Sequence, residues 1–209
     1  IAATIRSKRP ELVEWHKRFK VAKPKELLSL FSNLMEFCEK YAEQWPENAY
    51  ASLREGADFE LDELDDERDY RVPGVIGMGI KSAVLYHLDP RRFPYRDRGA
   101  LYALYFLSGR GDFGMPSKTS EFLMVNDDFT SSEHNAKMDQ NYWYPYGYFT
   151  ALMVGLLHRL QKRCEAFEVR FDSAYRYVYL RPFFDHIWDE HRADIETMMC
   201  IDETDRRWR

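Results

Sequence analysis

Apolar residues recur at helical spacing along much of the chain, most clearly between residues 25 and 45. Steps of three and four residues separate the apolar positions of this stretch, which are Leu27, Phe31, Leu34, Cys38, Tyr41 and Trp45. This spacing gathers the apolar side chains on one face of an α-helix, where they pack against the protein core or against a partner helix. Pro24 suits the first turn of such a helix, and Pro46 ends it. We therefore predict a helix over residues 25–45 whose apolar face belongs to the core.

The same spacing predicts further helices over residues 80–88, 97–108, 148–163 and 183–199. Asp97 would begin the second of them, because aspartate is a favoured N-cap residue. Residues 167–180 alternate apolar and polar positions around Asp172 and Ser173, so they fit either a small β-hairpin or a helix. The helical surroundings favour the helix. The fold class is therefore predicted as mainly α, with a small β-hairpin near residues 167–180 as the alternative.

The pattern predicts one domain with a different segment at each end. Residues 1–23 are basic and mixed in character, which is typical of a short packed helix or of a linker from a missing upstream region. Residues 24–201 carry the helical pattern and are numerous enough to form a hydrophobic core. Within them, the acid-rich residues 48–69 are predicted to form a short helix followed by a solvent-facing loop. Residues 202–209 are predicted as a charged tail.

The net charge limits the kinds of partner that the chain predicts, and the cysteines limit its metal sites and its cellular compartment. The net charge of −5 at pH 7 argues against a general nucleic-acid coat, whose affinity comes from Lys and Arg on phosphates. Local clusters of arginine still permit DNA binding by one face. The three cysteines are far apart and have no metal-ligand or disulfide spacing, so we predict no metal site and a reducing compartment, cytoplasmic or nuclear. The longest apolar run, residues 148–157, is too short to span a bilayer, and no membrane partner is predicted.

Two glycines flank one apolar residue in the stretch Ile76-Gly77-Met78-Gly79, and a helix-forming run follows directly. Glycine permits positive φ angles and lets another chain approach the backbone closely. Ahead of a helix, such a turn directs unpaired N–H groups outward beside the positive end of the helix dipole, where a phosphate binds readily. Met78 would point into the protein and hold the turn in place. The stretch therefore predicts a phosphate-binding hairpin within residues 75–90.

This pattern, apolar-Gly-apolar-Gly followed by an alanine four residues on, resembles the helix-hairpin-helix DNA-binding motif. More narrowly, it is similar to the motif of the helix-hairpin-helix DNA glycosylases, the superfamily of endonuclease III and 8-oxoguanine glycosylase. In bifunctional members a lysine lies two residues after the second glycine, as Lys81 does here. An aspartate follows roughly eighteen residues later in that superfamily, and Asp97 lies sixteen residues after Lys81 in this chain. Members usually read Leu-Pro-Gly-Val-Gly across the hairpin, whereas Pro73-Gly74 stands three residues ahead of Gly77 here.

The resemblance, which covers residues 75–104, implies a base-excision DNA glycosylase and lyase, a hydrolase of DNA repair acting on double-stranded DNA. Lys81 would attack the sugar C1′ of a flipped nucleotide, and Asp97 would activate Lys81 and stabilise the developing positive charge. The DNA backbone would be held by the hairpin and by nearby side chains, namely Gly77, Met78, Gly79, Ser82, Arg91, Arg92, Arg96 and Arg98. Aromatic residues further along are candidates either for stacking on the flipped base or for the core, namely Tyr142, Trp143, Tyr144 and Tyr146. No cofactor is implied, because three scattered cysteines do not supply the ligands of an iron–sulfur cluster.

Two other functions fit the same residues. A non-catalytic helix-hairpin-helix module, which docks a larger DNA-processing or defence protein onto DNA, would keep the glycines and arginines but would not require Lys81 or Asp97. Asp97 would then serve only as a helix N-cap, and Lys81 only as a phosphate-binding cation. A helical protein-interaction domain would use the two glycines merely as a tight turn between helices. That function suits the acidic net charge and predicts no salt-dependent DNA affinity.

Overall fold

The computed structural model describes residues 5–6, 13–66, 68–107 and 145–196, and this part of the chain is mainly helical, as the sequence predicts. The α-helices that lie wholly within these residues are α1 Val13–Val21, α2 Pro24–Gln44, α3 Glu47–Tyr50, α4 Glu63–Asp66, α5 Met78–Leu88, α6 Arg98–Leu107, α7 Tyr146–Ala166 and α8 Arg176–Glu190. Short 3₁₀ helices occupy Gly56–Phe59, Arg68–Tyr70 and Ser173–Tyr175. No described residue belongs to a β-strand, and none of the described helices is long and apolar enough to cross a membrane.

The predicted amphipathic helix over residues 25–45 is confirmed as α2. It begins with a proline in its first turn and ends at Gln44, just before Trp45. Its buried side chains are Leu30, Leu34, Phe37, Cys38 and Tyr41. This face packs against α5 and against the 3₁₀ helix of residues 68–70. The apolar face of α2 therefore belongs to the protein core, as predicted.

The acid-rich residues 48–69 differ from the solvent-facing loop that was expected. Their apolar side chains are in the core, namely Leu53, Phe59, Leu61 and Leu64. Acidic side chains between them, such as Glu55 and Asp58, are exposed. Because the segment consists of short turns rather than one long helix, its core positions follow no helical period. The many acidic residues of this segment therefore led to the prediction of a solvent-facing loop, although its apolar residues belong to the core.

Residues 167–180 do not form the β-hairpin, and the helical alternative applies only from residue 173 onward, where a 3₁₀ helix leads into α8. The chain is irregular as far as Asp172, whose side chain accepts a hydrogen bond from the N–H of Ala174, and it enters α8 at Arg176. Pro182 lies inside α8, although the sequence predicted a helix that begins after this proline. A proline removes its own N–H from a helix, and the buried face of α8 spans both sides of it, with Tyr177, Leu180, Phe184 and Ile187 in the core. Tertiary packing therefore extends this helix through a residue that disfavours it.

Buried tyrosines connect the helices through their hydroxyl groups. The Tyr50 hydroxyl donates to the carbonyl oxygen of Arg92 at 2.6 Å and lies 2.6 Å from the Tyr177 hydroxyl of α8. The Tyr41 hydroxyl of α2 donates to the carbonyl oxygen of Phe59 at 2.8 Å. These hydrogen bonds offset the free-energy cost of burying the tyrosine hydroxyl groups. The Tyr50–Tyr177 bond joins α8 to α3. α8 also packs against α6 and α7, so that it lies beside the start of α6, where Asp97 is found.

Candidate nucleic-acid interface and the Asp97 cleft

The tight turn ahead of α5 is formed by residues 72–76. The carbonyl oxygen of Val72 accepts hydrogen bonds from the N–H groups of Val75 and Ile76, both at 2.9 Å. Gly74 has a φ angle of 69°, in the left-handed region that favours glycine, and Pro73 precedes it. Proline followed by a left-handed glycine is typical of a type II β-turn. The turn therefore centres on Pro73-Gly74, not on the Gly77-Met78-Gly79 stretch, and this corrects the expected position of the hairpin.

Gly77 and Gly79 belong to the start of α5 rather than to the turn itself. Gly77 is the N-cap residue, with extended backbone angles, and its carbonyl oxygen accepts the first helical bonds, from Ile80 and Lys81 at 3.0 Å. Both glycines are partly exposed, whereas the Met78 side chain between them is fully buried. Met78 therefore points into the protein as expected. Only the glycine backbone of this stretch is open to a ligand.

Lys81 lies inside the protein. Its side chain is 1 % exposed, and its Nζ donates a hydrogen bond to the carbonyl oxygen of Leu64. Among the described residues, no hydrogen bond or ion pair joins Lys81 to Asp97. In this conformation the amine is therefore engaged with the backbone near α4 and is not presented at a surface.

Ser82 connects α5 to the chain that leads into α6. Its hydroxyl donates to the carbonyl oxygen of Arg96 at 3.0 Å and accepts from the N–H of the same residue at 3.1 Å. Ser82 is fully buried, so its hydroxyl has a structural role here rather than an exposed one. These bonds hold the residue before Asp97 against α5.

The predicted arginine cluster does not form one exposed basic face. Arg92 is buried, with Nη1 2.5 Å from Asp89 Oδ2 and Nε bonded to the carbonyl oxygen of Trp45. Arg96 is also fully buried and lies over the ring of Phe149 at 6.0 Å. This corrects the expectation that these two guanidinium groups form part of a surface. Inside the protein, Arg92 contacts a carboxylate and a carbonyl oxygen, and Arg96 lies over an aromatic ring.

Arg91 is the member of the cluster whose side chain is half exposed, and it also pairs with Asp89, at 3.0 Å. Burial raises the pKa of the Asp89 carboxyl, but hydrogen bonds from Arg91 and Arg92 outweigh this effect and lower the pKa below its usual value. The Asp89 carboxylate is therefore the centre of a structural ion-pair group. Arg98 begins α6, and its side chain lies outside the described part of the structure.

Asp97 precedes the first residue of α6 and has two partners. Its Oδ1 accepts a hydrogen bond from the N–H of Ala100 at 2.8 Å, which is the expected N-cap contact. Its Oδ2 accepts a bond from Arg181 Nη1 of α8 at 2.6 Å. The Asp97 side chain is 25 % exposed, and the Arg181 side chain is 43 % exposed. The carboxylate is thus fixed in place but open on one side.

A small cleft lies at this carboxylate, between the chain leading into α6 and the helices α7 and α8. It is lined by Pro94, Tyr95, Asp97, Met153, Tyr177, Leu180, Arg181 and Phe184. Arg181 lies over the ring of Tyr95 at 4.9 Å, so that the guanidinium is held by a carboxylate and an aromatic face together. The cleft combines one carboxylate and one guanidinium with apolar walls, and its volume of about 10 Å³ has room for about one water molecule.

Tyr146, a candidate for base stacking, belongs to the core. It is fully buried, and its hydroxyl donates to the carbonyl oxygen of Pro94 at 2.6 Å. Its N–H donates to Asp65 Oδ2 at 2.7 Å. The other stacking candidates, Tyr142, Trp143 and Tyr144, lie outside the described residues. The core alternative is therefore confirmed for Tyr146.

Sequence reasoning missed several residues at these sites. Arg181 and Tyr95 approach Asp97, while Trp15 and Arg18 of α1 approach the turn at Gly74. An arginine on a helix and a tryptophan near the start of a chain carry no local signal of such contacts. Only their positions in the folded chain identify them.

No family model, curated protein or solved structure matches this chain. Within the described residues, no group of three or more His, Cys, Asp or Glu side chains is arranged to hold a metal ion. The geometry defines a helical protein with a left-handed glycine turn that leads into a glycine-capped helix, and with a carboxylate cleft at the start of the following helix.

Proposed function

We propose that this protein binds duplex DNA through the turn and helix of residues 72–88, as a protein of the helix-hairpin-helix type. The observation that carries the proposal is the left-handed turn at Gly74, which leads through a Gly77 cap into α5. The partly exposed backbone of Gly77 and Gly79 at the start of this helix can approach a phosphate closely, because no side chain intervenes. Phosphate contacts of this kind fix a protein on DNA without reading its sequence.

Base excision at the Asp97 cleft is the catalytic part of the proposal. Asp97 is held by the N–H of Ala100 and by Arg181 and remains partly open to the cleft. A carboxylate fixed in this way could stabilise positive charge that develops on a sugar as its base departs. The buried position of Lys81 favours hydrolysis by water over attack by the lysine amine. We therefore assign Asp97, and not Lys81, to the chemistry.

The DNA-binding part can be tested with a short fluorescein-labelled duplex and the full chain. We expect fluorescence anisotropy to report binding that weakens steeply as salt rises. Gly79→Glu adds a carboxylate to the first turn of α5, where an acid suits the helix dipole but repels a phosphate. The affinity of Gly79→Glu should fall about tenfold or more. Gly155→Glu, at an open position on α7, makes the same charge change and should bind as the wild type does.

Equal losses in the two glutamate variants, or no salt-dependent binding by the wild type, would contradict the proposal. The second of these results would favour the helical protein-interaction domain, to which the net charge of −5 is suited.

The catalytic part can be tested by base release from a panel of duplexes that each carry one damaged base. We expect release by the wild type, strong loss in Asp97→Asn, and retention in Lys40→Gln, a variant of an exposed lysine on α2. Binding without release by the wild type would identify a non-catalytic docking module. The Asp97–Arg181 ion pair supports that second function, since it occupies part of the carboxylate.

A further inference from the structure

α1 is anchored to the turn that precedes α5. The indole Nε1 of Trp15 donates a hydrogen bond to the carbonyl oxygen of Val75 at 2.8 Å, although the two residues are 60 positions apart. The Trp15 ring stacks on Phe19 of the same helix, with ring centroids 5.0 Å apart. The indole N–H therefore bonds to a carbonyl oxygen of the turn and does not block the backbone N–H groups at the start of α5.

Arg18 of α1 lies directly over Gly74. A Cβ atom added to Gly74 would be 2.6 Å from Arg18 Cδ and still closer to the guanidinium. The absence of a side chain at this position therefore makes room for Arg18 as well as permitting the left-handed turn. Two independent contacts, one from Trp15 and one from Arg18, thus place α1 on the turn.

α1 is a basic helix in an acidic protein. Its nine residues include Lys17, Arg18 and Lys20 against the single acid Glu14, an excess of two positive charges, whereas the whole chain has a net charge of −5. Lys17 and Lys20 are exposed. The arginines expected to supply a basic surface, Arg92 and Arg96, are buried instead.

We propose that α1 forms part of the DNA-binding surface, in which Lys17 and Lys20 contact duplex phosphates on the far side of α1 from the phosphate bound at the start of α5. This inference rests on the proposed DNA-binding function. α1 provides exposed positive charge beside the turn, and charge on phosphates is the main source of affinity for DNA. Trp15 and Arg18 hold α1 on the turn, whereas Lys17 and Lys20 lie on the other, exposed side of this helix, so they face the part of the duplex that extends past α1.

The test compares the salt dependence of binding to a fluorescein-labelled duplex for the full chain and its variants. Each phosphate contact contributes about 0.9 to the slope of log K against log salt. The double variant Lys17→Gln and Lys20→Gln should lower this slope by up to about 2. The matched control, Lys40→Gln with Lys162→Gln, removes the same charge from exposed positions on α2 and α7 and should leave the slope unchanged.

Trp15→Phe keeps the net charge and an aromatic ring but removes the hydrogen bond to Val75. We expect weaker DNA binding, and faster hydrogen exchange of the α1 amides, at an unchanged thermal midpoint. Wild-type binding with the same slope in the α1 double variant would overturn the inference while the proposed function stands. An equal loss of slope in the control pair would also overturn it. No wild-type binding would reject the proposed function itself, and this inference with it.

Discussion

Arg181 Nη1 lies 2.6 Å from Asp97 Oδ2, although the two residues are 84 positions apart. The contact joins α8 to the start of α6, and it places a guanidinium in the cleft that contains Asp97, the carboxylate for which we propose a catalytic role. Asp97 therefore has two roles that can be separated, as the N-cap of α6 and as the partner of Arg181.

Asp97→Asn and Asp97→Ala separate these roles in the stability of the protein. Asparagine is also a good N-cap, so Asp97→Asn should lose only the partly exposed ion pair, about 0.5–1 kcal/mol. Asp97→Ala should lose the cap as well, for a total of about 1–2 kcal/mol. Urea unfolding gives both values, and Arg181→Met completes a double-mutant cycle. Equal costs of the two Asp97 variants would show that the cap contributes nothing.

Lys81 should behave as a core residue. Lys81→Ala leaves a cavity and an unpaired Leu64 carbonyl group, and it should lower the free energy of unfolding by about 2–4 kcal/mol. Lys81→Met fills most of the same volume and should cost less. Lys40→Ala, at an exposed position, should change stability by no more than about 0.5 kcal/mol.

Borohydride trapping on a duplex with an abasic site tests independently whether the Lys81 amine can react with the sugar. We expect no covalent adduct with the wild type, because the amine is buried and bonded to a carbonyl group. An adduct that disappears in Lys81→Met would show that Lys81 reaches the substrate, and the buried position would then not be the active one.

Gly147→Ala should be strongly destabilising, whereas Gly155→Ala on the same helix should be stabilising. A Cβ atom at Gly147 would lie 2.5 Å from the carbonyl oxygen of Gly56, and backbone cannot give way as a flexible side chain can. We expect a loss of about 2 kcal/mol or more. Gly155 has nothing within 4 Å of such an atom, and alanine should add about 0.5–1 kcal/mol there. Thermal unfolding of the two variants measures the contrast, and destabilisation by both would refute it.

The buried tyrosines should make the fold sensitive to alkali. Burial raises the pKa of each of these phenols above its usual value, for Tyr41, Tyr50, Tyr146 and Tyr177. The unfolded chain then loses phenolic protons at a lower pH than the folded chain. Their contribution to stability is therefore fully present below about pH 10 and is lost as the pH rises further. Burial also raises the pKa of Cys38, to about 11, which acts in the same direction.

Urea unfolding as a function of pH measures this alkaline loss. Tyr177→Phe should reduce the pH dependence above about pH 10, because it removes one of the titrating groups. Tyr175→Phe, at an exposed position, should leave it as in the wild type. If the wild type, Tyr177→Phe and Tyr175→Phe all have the same pH dependence, the alkaline loss of stability comes from groups other than Tyr177.

Most of the helices could be predicted from the sequence, because helical periodicity and helix ends depend on neighbouring residues. The apolar stripe between residues 25 and 45 and the proline before it gave α2 nearly to the residue. Asp97 was correctly placed as an N-cap by residue type alone. The position of the tight turn was wrong by three residues, because Gly77 and Gly79 looked as suitable for left-handed backbone as Gly74, which alone adopts it among the described glycines.

Whether the side chains of the candidate site are buried or exposed depends instead on contacts between residues far apart in the chain. Lys81 and Arg92 are charged and were expected to face DNA, but Leu64, Trp45 and Asp89 offer them partners inside the protein. The charge of a side chain sets how costly its burial is, and the partners that offset this cost come from the packing of other helices. Local pattern is therefore enough to find most of the helices of this protein, but not the start of α8, which packing extends through Pro182. Which charged groups face a ligand follows from how those helices pack together.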